Sequence, residues 1–346
     1  MLKQKLNFVA LIVLVLILVG MSSTVPASAL NKQDRKIVVF SNTTDENQVD
    51  EILKKHDTEK IKNLPSINGV VVNLSKDNKL RDQKEVKYIE DDFVVSINKK
   101  TTNIPEIPPS TVSQIIPWGI EYMEAPQYWG VSNTDNVKIG IVDTGIDLDH
   151  PDLVKNIKGG FNAIRNNKSA NDDNGHGTHV AGIIAASMNE IGVVGMVPDA
   201  DIYAIKALDS NGDGYVSDII EGIDWAIKND LDILNMSIST TNNSESLHDI
   251  VKKANDAGII MVAAAGNNYG GASEFPATYP EVVSVGAIDE NGSIADFSAL
   301  EGVDVYAPGV DIYSTYLSNG YLSMSGTSMA APHYTGKLCA ELIESE

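Results

Sequence analysis

From residue 112 onward the chain repeats one pattern, a short apolar run, a turn and then a helical segment. Residues 137–142, 201–206, 231–236, 259–264 and 282–285 are the apolar runs. Residues 177–187, 217–227 and 247–257 carry helical periodicity between them. Near-continuous apolar strands are buried on both faces. Interleaved with helices, they predict an α/β fold, a three-layer parallel sheet with helices on both faces. In such sheets ligands bind outside the carboxyl ends of the strands, so the loops leaving those ends are where chemistry is expected.

The residues before 112 differ in character. Lys3 and Lys5 precede an apolar run at 8–21, and Ala27-Ser28-Ala29 follows it. The run is shorter than the ~20 residues that span a bilayer, so residues 1–29 are predicted to be a secretory signal rather than an uncleaved anchor. Residues 30–100 are rich in Lys, Asp, Asn and Glu. Strand patterns at 36–40, 67–74 and 86–97 and an amphipathic helix at 46–56 predict a small α+β unit there. Residues 101–111 hold Pro105, Pro108 and Pro109 and read as an exposed linker. The large domain is then 112–346.

The formal net charge of −21 argues against nucleic acid as a partner and is compatible with attraction of cationic peptides. Cys339 is the only cysteine, so no intrachain disulfide forms, and it is expected to be a small buried apolar residue.

Four loops carry candidate chemistry. In Ser325-Gly326-Thr327-Ser328-Met329-Ala330-Ala331-Pro332-His333 a small-residue turn runs into a helix. Ser328 falls in its first turn, beside free N–H groups and the positive end of the dipole, as a nucleophile or as a plain N-cap. Asp143 follows the first buried run and either orients an imidazole or closes an Asx-turn. His176 opens the Ala-rich helix, and His179, one turn on, is expected to be buried. A zinc site there lacks the H-E-x-x-H spacing and further ligands. Asn267, after another buried run, either aims an amide N–H at a developing oxyanion or makes a turn. Together these supply a nucleophile, a base, an orienting acid and an oxyanion donor, in the order Asp, His, Ser.

The blocks V-D-T-G-I-D, H-G-T-H-V-A-G and G-T-S-M-A-A-P-H carry a specific resemblance: residues 112–345 resemble a subtilisin-type serine peptidase. The resemblance implies that Asp143 orients His176, that His176 is general base and then acid, and that Ser328 is acylated. Asn267 and the Ser328 N–H would form the oxyanion hole. Residues 30–100, with the run Tyr88-Ile89-Glu90-Asp91-Asp92, resemble the family's inhibitor propeptide, which implies a zymogen. Gly212 and Gly214 would lie on the edge that pairs with substrate backbone. Ser237 and Ile238 match the substrate-binding strand, with Ser239 and Thr240 where glycines are usual. A structural Ca2+ is implied, held by the side chains of Gln114, Asp152 and Asn189 and the carbonyls of Ser187, Ile191 and Val193. Residues 209–214 mimic half of an EF-hand, but Glu221 falls one place too late for its bidentate ligand.

Alignment with short-loop members of the family sets Glu274 at the base of the primary specificity pocket. A buried carboxylate there predicts preference for Lys or Arg at P1, and Asp172 and Asp173 are expected to add negative charge near the next subsite. Lys99-Lys100 would be a self-consistent autoprocessing site. The expectation is a secreted, extracellular, monomeric endopeptidase acting on peptides or proteins, held by its own propeptide, with no stable membrane association. A processing peptidase for one precursor or leader peptide and an inactive binding protein are the alternatives. The family usually continues beyond the Ser328 helix, so Leu338 and Leu342 on that helix are expected to be exposed.

Overall fold

The computed structural model describes residues 35–74, 78–97, 100–101, 114–130 and 137–345. The expected signal segment, and all of the expected linker except Thr101, lie outside these. Among the described residues no helix is long and apolar enough to cross a membrane.

The N-terminal unit contains β1 (Arg35–Phe40), α1 (Glu46–Lys55), β2 (Lys60–Leu64), β3 (Gly69–Asn73) and β4 (Val86–Asp91), in an antiparallel sheet of order β2-β3-β1-β4. Asp45 starts α1 with a reciprocal capping box to Gln48. Successive β1 residues serve opposite faces, as period two requires. Val38 and Phe40 pack with Val49 and Leu53 of α1, while Ile37 and Val39 join the core of the large domain. The expected strand at 86–97 divides. After β4 the chain leaves the small sheet, and β5 (Val94–Ser96) and β6 (Lys100–Thr101) pair with the large domain instead.

The large domain continues with α2 (Trp118–Tyr122), β7 (Lys138–Asp143), β8 (Ile157–Asn162), α3 (His176–Ala185), β9 (Asp201–Lys206) and β10 (Asp213–Tyr215). It goes on through α4 (Val216–Lys228), β11 (Ile233–Met236), α5 (Glu245–Asp256), β12 (Ile260–Ala264) and β13 (Val282–Ile288). It ends with β14 (Val305–Pro308), β15 (Ile312–Tyr316), β16 (Gly320–Ser325) and α6 (Thr327–Ser345). Seven strands form one parallel sheet of order β14-β13-β12-β11-β7-β9-β8. Apolar residues of α3 and α6 belong to one buried cluster, and those of α4 and α5 to another. The three layers expected from the strand–helix alternation are therefore present. Leu338 and Leu342, expected to be exposed, are half-buried against the α3–α6 cluster. Cys339 is buried, and burial pushes its thiol up to about 12.

From β7 the chain moves outward to β8 and β9, then returns past β7 to β11. The strand order reverses beside β7, and that crevice is where an open α/β sheet binds its ligand. The N-terminal unit lies over α4 and α5. The Glu90 carboxylate accepts from Ser244 Oγ at 2.7 Å, Glu245 N at 2.9 Å and Ser246 N at 3.0 Å, at the start of α5. Asp92 accepts from Ser217 N at 2.9 Å and Ser217 Oγ at 2.8 Å, at the start of α4, and pairs with Arg35. Both carboxylates satisfy N–H groups that have no partner inside a helix, at its positive end.

Candidate active site

Asp143 ends β7 and is fully buried, and His176 opens α3 at 2% exposure. His176 Nδ1 lies 2.8 and 2.9 Å from the two Asp143 oxygens. An ionised carboxylate only accepts, so Nδ1 carries the proton and Nε2 keeps the free lone pair. Thr144 N–H donates to Asp143 Oδ1 at 2.7 Å and holds the carboxylate from behind. Gly177 lets α3 come this close. A Cβ there would stand 2.1 Å from Gly145 O and 3.1 Å from Asp143 Cβ.

Ser328 is the second residue of α6 and 5% exposed. Its hydroxyl donates to Ser237 O at 3.1 Å, and Ser237 Oγ donates to Ser328 O at 2.8 Å. Asn235 Nδ2 donates to Ser237 Oγ at 2.9 Å, and Thr335 Oγ1 donates to Asn235 Oδ1 at 2.9 Å. These bonds lock the start of α6 onto the end of β11, the strand next to β7. Asn267 follows β12, next again in the sheet. Its Oδ1 accepts from Thr327 N and Thr327 Oγ1, both at 3.0 Å. That leaves Nδ2 facing the turn before Ser328, 3.3 Å from the Cβ position of Gly326. Asp143, Ser237 with its partner Ser328, and Asn267 thus stand in a row at the carboxyl ends of three adjacent strands.

The cleft walls follow. β10 carries Gly212's neighbour Asp213 and Gly214, and pairs antiparallel with β5. Ile97 N–H donates to Gly212 O at 3.0 Å, and Ser96 bridges to Ser239 just beyond Ser237 and Ile238. On the far side of Ser328, Lys100 pairs with Ser325 and Thr101 with Met324. β5 and β6 therefore run along the cleft on either side of the serine.

Glu274 is 9% exposed and lies beneath the Gly266-Asn267 turn, where a Cβ on Gly266 would be 2.8 Å from Glu274 Cδ. Ser239 Oγ donates to Glu274 Oε2 at 2.6 Å and Asn268 Nδ2 to Oε1 at 3.3 Å. The side chain at 239, where a glycine was usual, is thus a partner of the acid at 274. Glu274 makes no ion pair among the described residues.

Asp172 and Asp173, expected to add negative charge near the next subsite, are both engaged by neighbours. Asp172 is 4% exposed and takes four donors. These are Asn174 N at 2.9 Å, Gly175 N at 3.0 Å, Thr178 N at 3.0 Å and Thr178 Oγ1 at 2.7 Å. It is consumed in capping the first turn of α3, which holds His176 in position. Asp173 is neutralised by Lys206, whose ammonium also donates to Thr144 O and Leu208 O at 2.6 and 3.0 Å. The sequence shows acids near a histidine, but not which of them a turn absorbs. Within residues 209–214 the Asp209 carboxylate accepts from Asn211 N at 2.8 Å and Asp213 N at 3.1 Å, so it serves its own hairpin.

His179 is fully buried as expected, and burial lowers it to about 3.

The expected calcium ligands gather at one place. Gln114 Nε2 meets Ser187 O at 2.6 Å, Val193 O at 2.9 Å and Asn189 Oδ1 at 3.4 Å. Asn189 Nδ2 donates to Asp152 Oδ1 at 3.0 Å, and Ile191 meets the cluster through its N–H, 3.1 Å from Asn189 Oδ1. Three acceptor oxygens converging on one amide nitrogen, with a buried carboxylate alongside, suit a hard cation. No cluster of three or more His, Cys, Asp or Glu metal ligands exists among the described residues, because this set is mainly amide and carbonyl oxygen.

Residues 134–344 match the model of the subtilase family. The chain is similar to a thermostable alkaline protease of Halalkalibacterium halodurans, 39% identical over 322 residues, 92% of this chain and 84% of that one. It is similar to the minor extracellular protease Epr of Bacillus subtilis, 39% identical over 313 residues, and spans about half of it, 89% of this chain against 48% of Epr. It is also similar to subtilisin DY of Bacillus licheniformis, 46% identical over 241 residues, 68% and 86% of the two chains. With the matched region spanning the Asp143–His176 pair, Asn267 and Ser328, the chain belongs to the subtilase family and is a serine endopeptidase.

Proposed function

We propose that the chain is made as a secreted zymogen whose mature form cleaves peptide bonds after Lys or Arg. The observation that carries the specificity is Glu274, a carboxylate that is 9% exposed, lies under the Gly266-Asn267 turn and has only neutral partners among the described residues. A Lys or Arg side chain brings the opposite charge into this pocket, and a charge-assisted hydrogen bond there outweighs a neutral one. Phe or Leu would bury apolar surface against a carboxylate that needs donors.

The chemistry follows from the hydrogen bonds. With Nδ1–H held by Asp143, His176 Nε2 is free to take the Ser328 proton as Oγ attacks the carbonyl carbon. The Ser328 hydroxyl, turned to Ser237 O in this arrangement, swings to Nε2 as substrate enters. The oxyanion is met by Asn267 Nδ2 and the Ser328 N–H, which α6 leaves without an intrahelical partner. The imidazolium then protonates the leaving amine, and water repeats the sequence on the acyl-enzyme.

The N-terminal unit acts as an intramolecular inhibitor. Its support is the pairing of β5 and β6 on the two sides of Ser328. Ile97 is hydrogen-bonded to Gly212 and Lys100 is paired with Ser325, with only Asn98 and Lys99 between them in sequence. Within this span the maturation cut is assigned to the Asn98–Lys99 bond, which sets Ser96, bridged to Ser239 and paired with Asp213, at P3; the Lys99-Lys100 site is the alternative. An uncharged residue at P1 forgoes the ion pair with Glu274, so a first cut after Asn98 is slower than cleavage of a P1 Lys substrate.

Calcium would be held by the Gln114 segment and the 187–193 loop, where it would neutralise Asp152 and tie the two segments together. Lys3, Lys5 and the apolar run support secretion, and one relative is named an extracellular protease.

The test is cleavage profiling of the self-processed protein against a mixed peptide library, with and without calcium, and N-terminal sequencing of the mature chain. Expected are faster cleavage after Lys and Arg than after Phe and Leu, faster inactivation without calcium, and a mature chain beginning at Lys99. Faster cleavage after Phe overturns the pocket reading, and a mature start at Lys100 or Thr101 overturns the assigned bond.

A further inference from the structure

β5 lies along the cleft edge as a substrate strand would, so its side chains report what each subsite accepts. Val95 is 1% exposed and joins the apolar cluster that includes Leu208, Val216 and Ile238. Ile97 fills the space over Gly212, where a Cβ would come within 2.4 Å of Ile97 Cγ1. Ser96, between them, turns the other way, as strand alternation demands. It stands opposite Asp213 in the β5–β10 register, and its hydroxyl donates to Asp213 Oδ1.

Asp213 differs from the other acids near this edge. Asp172 is saturated by four donors, Asp173 is held by Lys206, and Asp209 is used by its own hairpin. The Asp213 carboxylate has Ser96 as its one side-chain partner and no ion pair among the described residues. When β5 leaves, this half-buried carboxylate loses its one donor among the described residues, while β10 stays fixed through Asp209 N–H to Asp213 O at 2.8 Å.

We propose that Asp213 is a specificity-determining residue that selects a cationic side chain, Lys or Arg, at the P3 position of the substrate and disfavours Asp or Glu there. The inference rests on the endopeptidase reading with β5 in the substrate's place. Ser96 supplies the neutral form of the same donor, which satisfies the carboxylate without the added attraction of a full charge. The pocket holding Glu274 and the edge holding Asp213 then read two alternate positions of one strand, both for positive charge. A cleft with these two acids favours substrates with basic residues at spacing two.

The test uses the protein expressed as the full chain and allowed to process itself. Peptides with Lys, Ser, Ala or Glu at P3 are compared by kcat/KM in two series, one with Lys and one with Phe at P1. The expected order at P3 is Lys, Ser, Ala, Glu, with Lys over Glu by about fivefold at low salt, the upper range for one exposed ion pair. The ratio shrinks at high salt, since exposed pairs are screened. Asp213→Asn brings it toward one and Asp213→Lys inverts it. A wild-type Lys/Glu ratio near one at low salt overturns the proposal, as does an unchanged ratio in Asp213→Asn. If that variant fails to fold, the wild-type salt series decides, because a ratio that high salt leaves intact also overturns it. A faster Phe series with the P3 order intact sinks the P1 reading alone, and no cleavage of any peptide sinks the endopeptidase reading beneath both.

Discussion

Each side chain proposed for catalysis is held by a bond that fixes one of its atoms and aims another. His176 gives Nδ1 to Asp143, which leaves Nε2 on the opposite edge of the ring, and Asn267 spends Oδ1 on Thr327, which turns Nδ2 toward Gly326 before Ser328. Asn267→Ala removes the amide donor and leaves Thr327 to water. The expected loss is about 10²–10³ in kcat with little change in KM, a magnitude carried over from the oxyanion asparagine of a related subtilisin rather than derived from these distances. Asp143→Asn is expected to cost about 10⁴ in kcat, because a neutral amide can donate to Nδ1 and so favours the wrong imidazole tautomer. Steady-state kinetics on one good peptide check both. A rise in KM with kcat intact would mean that Asn267 only binds ground-state substrate. The placement of Asp143, His176, Asn267 and Ser328 at strand ends and helix starts was legible in the sequence because each sits in a compact motif. Asp172 was not, since an acid that caps α3 and an acid that faces solvent look the same in a string of letters. Nor was Asp213, whose loop resembles half of an ion-binding motif until β5 is seen beside it.

At the scale of elements, the two helices under the N-terminal unit explain how it is gripped. Glu90 and Asp92 approach the starts of α5 and α4, whose N–H groups are otherwise met by water. Replacing a capping side chain by Ala costs typically ~1 kcal/mol, so Glu90→Ala with Asp92→Ala weakens the grip by about 2 kcal/mol, roughly 30-fold in retention. The expected outcome is a shorter lag between the first cut and the appearance of activity, with activity normalised to the amount of cut chain. A lag equal to that of the unsubstituted chain would show that retention depends on the β5 pairing and not on the caps. The same elements show what the sequence hides. Long periodic segments such as α4 and α5 and the buried runs β9 and β12 were legible within a few residues. The strand β8 was missed because Gly159-Gly160 breaks its apolar run, and it lies at the sheet edge where burial is partial. The break between β4 and β5 was also missed. One apolar pattern runs through both, and only the competition between two sheets divides it.

The whole molecule is built around buried imidazoles as well as the catalytic one. His179 Nε2 lies 3.0 and 2.9 Å from Ile312 O and Leu322 O, so Nε2 carries the proton, and Nδ1 has no hydrogen-bond partner among the described residues. His333 gives Nδ1–H to Met329 O at 2.8 Å, and its Nε2 faces Gly119, where a Cβ would be 2.4 Å away. A second proton on either ring would be a buried charge between packed helices and strands. Burial accordingly lowers His179 to about 3 and His333 to about 4, from an ordinary 6.5. Between pH 6.5 and about 4 the unfolded chain takes up protons that the folded chain refuses. The stability these groups contribute is complete above pH 6.5 and is lost as pH falls, with a slope approaching about 1.4 kcal/mol per pH unit for each histidine. Asp218, raised by burial, acts in the opposite direction, but it is one group beside Lys62 against three, since burial lowers His150 as well. Urea unfolding of the Ser328→Ala chain, which cannot digest itself, checks this at pH 7, 5.5 and 4.5. The midpoint is expected to fall at each step, and His333→Gln, which cannot take a proton, is expected to reduce the slope by about one histidine's share. A midpoint that holds steady from pH 7 to 4.5 would mean that both imidazoles reach solvent and are protonated while the sheet stays folded.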